Sequence, residues 1–489
     1  MIHAALPDER RQFSVASDVF LRALAVVYFI AFASFWWQLR GLIGPGGILP
    51  AQPFLDATAR ELGPGRWWQL PTLCWIFDGG WFLHALCLGG VGLAVAVFFR
   101  ILQPVCLALL WMFYLSLCPP GQVFLNFQWD ALLLETGLLA VWLAPWRLGG
   151  RERTDPPRLA RWLLWWLFFR LLFMSGLVKL TSGDETWRNL TALTLHYETQ
   201  PLPTWLGCWM HQLPAWFHRL SCAIMFAIEL LVPFLLFGPQ RVRHCAVLAQ
   251  IAFQVIIALT GNYTFFNLLT VALCLLFLDD SWWARWFGVA PAPYGSTAAG
   301  RRPPPWAMHA VFAVLLAASL LITLPSAVGP RQWPEWYAGA FRIIATTRSV
   351  NSYGLFRVMT KERPEIIIEG SADGREWQPY EFKWKPGDLK RRPGFIAPHQ
   401  PRLDWQLWFA ALAYPRFDSW MTPFLRQLAA NAPAVTALLE KNPFAREPPH
   451  YLRAVLYNYE FTTPAERASS GAWWKRTTSA YYLPPTRVR

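Results

Sequence analysis

Residues 122–144 read QVFLNFQWDALLLETGLLAVWLA, a stretch of 23 residues whose only charged side chains are Asp130 and Glu135. A helix of that length rises about 34 Å, enough to cross a hydrocarbon core of roughly 30 Å. On either side of it, further stretches have the same character: 19–39, 81–99, 101–118, 160–180, 216–237, 244–260, 264–279 and 306–325. The first is preceded by polar residues and lacks a small-residue cleavage site, so it reads as a retained helix and not a removed signal peptide. The pairs flanking Arg100 and Gly261–Tyr263 are close enough to be re-entrant hairpins. The expected architecture is a multi-pass α-helical membrane bundle of about nine spans, residues 1–325. A small α+β, largely β, extramembrane domain follows over residues 326–489.

Bulk composition points the same way. Of 489 residues, 55% are hydrophobic and 15% charged, against roughly 25% charged in an ordinary soluble domain. Lys and Arg exceed Asp and Glu by 44 − 30 = 14. In a soluble chain that surplus would suggest nucleic acid. Here the basic residues flank apolar runs, orientation in a membrane is the simpler source, and no nucleic-acid partner is expected. With the amino terminus inside, the inner side receives Arg10, Arg11, Arg100, Arg147, Arg151, Arg153, Arg158, Arg161, Arg241, Arg243, Arg285, Arg301 and Arg302. Arg40, Arg60, Arg66 and Arg188 fall outside. An odd number of spans then puts the carboxy-terminal domain outside, in a periplasm or an organelle lumen; an even number reverses that.

A charged group at the centre of a span costs about 2.5–3.5 kcal/mol, so such groups single out functional candidates. They are Asp130 and Glu135 in the fourth span, Arg170 and Lys179 in the fifth, and Glu229 in the sixth. Asp130 and Glu135, five apart, diverge by about 140° around a helix and are not expected to form one carboxylate dyad. Two readings stay open: interhelical polar pairs that hold the bundle together, or a polar cavity that binds a substrate or carries out proton chemistry.

Residues 181–215 form a long aromatic loop expected at the bundle's outer mouth, with His196, Glu198 and His211 as candidate ligands. A metal needs three or four ligands in defined geometry, and Pro214 breaks any helix that would align His211 with His218. Hydrogen-bonding histidines and no metal are expected. Asn189 and Asn262 match the glycosylation pattern. The eight cysteines show no CxxC and no zinc spacing; buried thiols are expected, with disulfides near Cys74 and Cys208 as the alternative.

Past the Pro-rich stretch 325–334, EIIIE (365–369), the turn at Ala372–Gly374 and the alternation of Tyr380, Phe382 and Trp384 predict a β-hairpin. Leu403, Leu407, Trp408, Ala411 and Leu412 after Pro401 predict a helix. Shorter helices are expected near 419–430 and 433–441, then a strand through Val455, Tyr457, Tyr459 and Phe461. Within PHQPRLDWQ lie His399, Arg402, Asp404 and Trp405. An Arg and an Asp two apart point to different sides of a helix, so a structural role at the helix start is expected. Trp473, Trp474, Tyr481 and Tyr482, with Lys475 and Arg476, belong either to a membrane interface or to the domain's own core. No nucleophile elbow, phosphate loop, dinucleotide fingerprint or metalloprotease motif occurs, and no cofactor is expected.

The runs NSYGLFRVMTKERPEIIIEGSADGREWQPYEFKWKPGD (351–388) and PHQPRLDWQLWFAAL (398–412) resemble the carboxy-terminal domain of the lipase maturation factor family. FQWDALLLETG (127–137), SGLVKLTSGDETWRNLTAL (175–193) and HYETQPLPTW (196–205) resemble its membrane part. In animals, members are endoplasmic reticulum membrane proteins that help secreted dimeric lipases fold and assemble. The resemblance therefore implies that placement, or the inner membrane in a bacterium, with the carboxy-terminal domain lumenal or external. GLVKLTSGDETW (176–187) is also similar to a glycine, lysine and tryptophan pattern in the membrane domain of vitamin K dependent carboxylase, where a lysine serves as base. That similarity implies Lys179 as a candidate base, although this chain has one lysine where the carboxylase pattern has two adjacent ones.

Two function classes follow. One is a non-enzymatic, chaperone-like maturation factor whose partners are membrane lipid and a secreted client such as a lipase. The alternative is a membrane-embedded enzyme with carboxylase-like chemistry, or a small-molecule carrier, working through the intramembrane charges.

Overall fold

The structure is a computed structural model and describes residues 12–77, 79–146, 153–289, 305–328 and 334–488. The first part of the chain contains α1 (Ser14–Leu42), α2 (Ala51–Leu62), α3 (Arg66–Gln69), α4 (Gly80–Phe98), α5 (Gln103–Gly121) and α6 (Gln128–Leu143). There follow α7 (Arg158–Thr181), α8 (Glu185–Arg188), α9 (Leu193–Thr199), α10 (Trp205–His211), α11 (Ala215–Leu230) and α12 (Val232–Leu235). Next come α13 (Gln240–Thr260), α14 (Phe266–Leu275), α15 (Asp280–Phe287), α16 (Pro305–Val328) and α17 (Glu335–Thr346). The remainder is β1 (Pro364–Ser371), β2 (Gln378–Pro379), β3 (Glu381–Phe382), α18 (Arg402–Ala413), α19 (Met421–Ala429), α20 (Pro433–Thr436), β4 (Leu439–Lys441), β5 (Tyr451–Phe461), α21 (Pro464–Ser470) and β6 (Trp474–Arg487).

The chain is a multi-pass helical membrane bundle carrying a smaller carboxy-terminal α+β part. Among the described residues seven helices are long and apolar enough to cross a membrane: α1, α4, α5, α7, α11 with α12, α13 and α16. An eighth counts only if α14 and α15, bent by 102°, are one span. Two of the nine expected stretches are thus shorter than their sequence suggests. In the stretch 122–144 the first residues form a 3₁₀ turn, Gln122–Leu125. Only after Asp130 accepts the Phe127 N–H at 3.3 Å does α6 begin. Its 16 residues rise about 24 Å. The 10 residues of α14 rise about 15 Å.

Both short helices nevertheless carry the chain between the two ends of the bundle. At one end the start of α1 meets Asp280, whose carboxylate accepts the Ser14 N–H at 3.1 Å and its hydroxyl at 2.6 Å. Asp155, beyond α6, accepts the Phe13 N–H at 2.7 Å. Arginines gather there too: Arg100 bonds Asp18 at 2.5 Å, Arg153 lies 3.6 Å from Asp18, Arg161 sits over Phe13, and Arg243 bonds Asp279 at 3.0 Å. Arg10, Arg11, Arg147, Arg151, Arg301 and Arg302 lie outside the described residues.

The opposite end holds the β structure. The main sheet runs β2-β1-β5-β6, all antiparallel, and β3 pairs with β4 in a second, two-stranded sheet. The expected hairpin pairs only at Glu369↔Pro379 and Gly370↔Gln378, turning through Gly374 at φ +75°. Beyond it the chain leaves for the second sheet. The helix expected over 433–441 stops at Thr436, because Leu439–Lys441 instead extends to pair with β3. Trp474 is buried and stacks on Phe461 at 4.4 Å, and Tyr482 is buried beside Phe417. These two rings complete the local core. One continuous apolar core runs from Phe13, just before α1, to Tyr482 in β6, so the bundle and the carboxy-terminal part are packed as one body.

Candidate functional site

The charges inside the spans find their partners in three places. Asp130, in the first turn of α6, receives two parallel bonds from Arg402 at the start of α18: Nη2 to Oδ1 at 2.9 Å and Nη1 to Oδ2 at 3.1 Å. Tyr114 of α5 donates its hydroxyl to the same carboxylate at 2.5 Å, and Arg402 also donates to the Phe124 carbonyl. Five residues on, Glu135 pairs with Arg170 of α7. The second carboxylate oxygen accepts the Asn351 N–H at 2.9 Å and the Tyr353 hydroxyl at 2.7 Å, while Arg170 Nη1 donates to the Asn351 carbonyl at 2.9 Å. A non-helical segment, Asn351–Tyr353, thereby packs against the bundle with the Asn351 N–H and carbonyl and the Tyr353 hydroxyl hydrogen-bonded to it.

Lys179 and Glu229 pair with each other. Nζ donates to both carboxylate oxygens, at 2.6 and 2.7 Å, and lies 5.3 Å from the Trp187 ring centre. The five charges therefore do not converge on one cavity. They form three brackets: α6 to α18, α6 and α7 to the 351–353 segment, and α7 to α11.

The loop 181–215 folds into α8, α9 and α10 and cradles the sheet. Arg363, just before β1, donates to the Glu198, Gln200 and Pro201 carbonyls. Glu198 accepts the Phe461 N–H at 2.7 Å and lies 3.5 Å from His211 Nε2. His196 Nε2 meets the Tyr263 hydroxyl at 3.0 Å. Burial holds the His196 and His211 imidazoles down at about 4, with Lys179 adding to the effect on His196 and His218 to that on His211. Among the described residues no group of three or more His, Cys, Asp or Glu side chains is arranged to hold a metal ion. All eight cysteines are free thiols.

In the carboxy-terminal motif the polar side chains diverge. His399 Nδ1 bonds Ser34 of α1 at 2.9 Å; burial, then Arg402 and Lys383, hold its imidazole at about 4. Asp404 points the other way and accepts the Trp384 and Lys385 N–H groups at 3.0 and 2.9 Å; burial raises its carboxyl. Trp405 packs edge-on to Trp129 at 4.7 Å, across the boundary between α18 and α6.

Two further residues, Gln38 and Asn262, join the bundle to the carboxy-terminal part in a role not expected from the sequence. Gln38 accepts the Arg402 N–H at 2.9 Å and donates to the Gln400 carbonyl at 2.7 Å. Asn262, which matches the glycosylation pattern, is buried: its amide donates to the Leu202 and Gly394 carbonyls and accepts the Ile396 and Ala397 N–H groups. The available signal was Ser34 and Gln38, polar and four apart on one face of an otherwise apolar span.

Residues 15–285 match the family model described as Lipase maturation factor transmembrane domain, and residues 349–484 the one described as Lipase maturation factor C-terminal domain. Lipase maturation factor 2 of Homo sapiens is 36% identical, with 96% of this chain and 82% of that relative covered. Lipase maturation factor 1 of Bos taurus is 36% identical, with 96% of this chain and 88% of that relative covered. No solved structure matches. Two family models in register with the bundle and the sheet, and relatives aligned over nearly the whole chain, lead to one conclusion: this integral membrane protein belongs to the lipase maturation factor family.

Proposed function

We infer that the protein assists the folding, assembly or maturation of secreted proteins such as lipases, as a chaperone-like factor and not as an enzyme. The observation that carries this reading is the relation to Lipase maturation factor 2 over 96% of the chain. The geometry supports it, because Asp130, Glu135 and Arg170 are used in bracing the carboxy-terminal part to the bundle, and Lys179 and Glu229 in joining α7 to α11. Tyr414 and Phe417 are exposed on that part, at 6.2 and 5.0 Å from the Tyr482 ring. Exposed apolar rings in a group suit contact with an incompletely folded client.

On this reading residues 1–325 anchor the protein and residues 326–489 meet the client. The arginine-rich end of the bundle is the cytoplasmic one. The β end then faces the endoplasmic reticulum lumen in a eukaryote, or the outside of the inner membrane in a bacterium. The carboxylase-like alternative gains no support from Lys179, whose ammonium is bonded to both oxygens of Glu229.

The test is complementation. In cells lacking their own maturation factor and expressing a secreted dimeric lipase, the chain is expected to raise lipase activity per molecule of lipase secreted. Unchanged lipase activity, with the chain present in the membrane, would overturn the reading.

A further inference from the structure

At the β end of the bundle a groove of about 630 Å³ opens between α3 and α17. Its level is fixed by Arg348, whose Nη1 donates to the Leu125 carbonyl at 2.9 Å, in the turn that closes α5. Its wall is largely apolar, with Leu70, Tyr337, Ala338 and Phe341; Arg342 and Arg348 line it as well, and no Asp or Glu does. The Tyr337 hydroxyl donates to the Leu321 carbonyl at 2.8 Å, which ties α17 to the spanning helix α16.

The surroundings identify the environment. Trp68 is 83% exposed, Trp336 67% and Ile343 75%. In water three such side chains next to an open apolar groove would be an aggregation hazard. Beside the ends of spanning helices they match the ring-rich belt at the headgroup level, where short helices rest their apolar faces in the lipid. An anion is favoured by Arg342 and Arg348, two cations on a wall that carries no carboxylate, since guanidinium groups suit phosphate oxygens. An acyl chain is favoured by the rest of the wall.

We propose that this groove binds one anionic phospholipid from the leaflet at the β end, its phosphate held by Arg342 and Arg348 and an acyl chain lying along Phe341, Ala338 and Leu70. The lipid would hold α17, the link between the last span and the carboxy-terminal part, against α3. This site does not depend on the maturation role.

Native mass spectrometry on the purified full-length protein tests it, with phosphatidylglycerol and phosphatidylcholine of identical acyl chains as probes. The wild type is expected to retain one phosphatidylglycerol in preference to phosphatidylcholine. Arg342 is exposed, and Arg342→Ala is expected to weaken retention about fivefold, the effect of one basic residue near a membrane surface. Ala338→Trp, which fills the groove and keeps both charges, is expected to weaken it as well. Equal retention of the two lipids by the wild type, or undiminished phosphatidylglycerol in both variants, would overturn the proposal. So would displacement by glycerol phosphate at the same concentration, which would make this a site for soluble phosphate.

Discussion

Arg402 and Asp130, 272 positions apart in sequence, are joined by two parallel N–H···O bonds of 2.9 and 3.1 Å, with the residues 1% exposed each. A buried pair of this kind adds little net stability over an apolar pair, but removing one partner strands the other at a cost of about 3–5 kcal/mol. Arg402→Met is therefore expected to destabilise the protein by about that amount. Asp130→Asn added to Arg402→Met should recover part of the loss. Thermal unfolding of the purified variants in detergent measures both, and additive effects would show that the two groups are not coupled.

Tyr353 reaches Glu135 from the carboxy-terminal side of the chain at 2.7 Å. A hydrogen bond to a charged group contributes about 1.5–3 kcal/mol, so Tyr353→Phe should lower stability by that order. Removing residues 349–489 altogether strands Asp130 and frees one face of Glu135. The truncated bundle is expected to disappear from membranes, as measured by quantitative immunoblot, whereas normal accumulation would mean that the two parts are independent.

His399 gives the brackets a pH dependence. Its folded-state value of about 4 lies below the ordinary value of about 6.5, so between those limits the unfolded chain binds the extra proton. Stability from this group is complete above about 6.5 and falls as pH drops towards about 4. The advantage of wild type over His399→Gln in melting temperature should accordingly shrink between pH 7 and pH 4.5. A constant difference across that range would remove His399 as the source.

Sidedness is open to labelling. With the exposed Cys245 replaced by Ser, single cysteines at Glu440 and at Arg241, both exposed, should react with a membrane-impermeant maleimide from opposite faces of sealed vesicles. Reaction from the same face would place the β end beside the arginine-rich end.

How much of this was legible in the sequence differs from feature to feature. The bundle was, because apolar runs of spanning length have few other uses, and so was β1, from its isoleucines. The shortness of α6 was not: QVFL is as apolar as the helix after it, and only the capping carboxylate of Asp130 and the turn before it set the start. The span charges were visible as anomalies, and Glu135 with Arg170 and Lys179 with Glu229 pair among themselves, whereas the other partners were not visible, since Arg402, Asn351 and Tyr353 lie more than 200 positions away from the carboxylates they reach. Of the two alternatives, pairs within the bundle or a cavity, the first describes Glu135 with Arg170; neither contained the further use of Asp130 and Glu135, which is to receive the carboxy-terminal part.

Whether the span charges brace or react is decided by the secreted-lipase assay on Lys179 and Glu229. Lys179→Met alone leaves Glu229 buried without its cation and should lower the amount of protein in the membrane. Lys179→Met with Glu229→Leu replaces the pair by apolar side chains of similar size, a change that buried ion pairs often tolerate, and should restore both membrane abundance and lipase activity per molecule. A double variant that accumulates normally, unfolds at the wild-type temperature and yet yields inactive lipase would contradict a bracing role and assign Lys179 to chemistry.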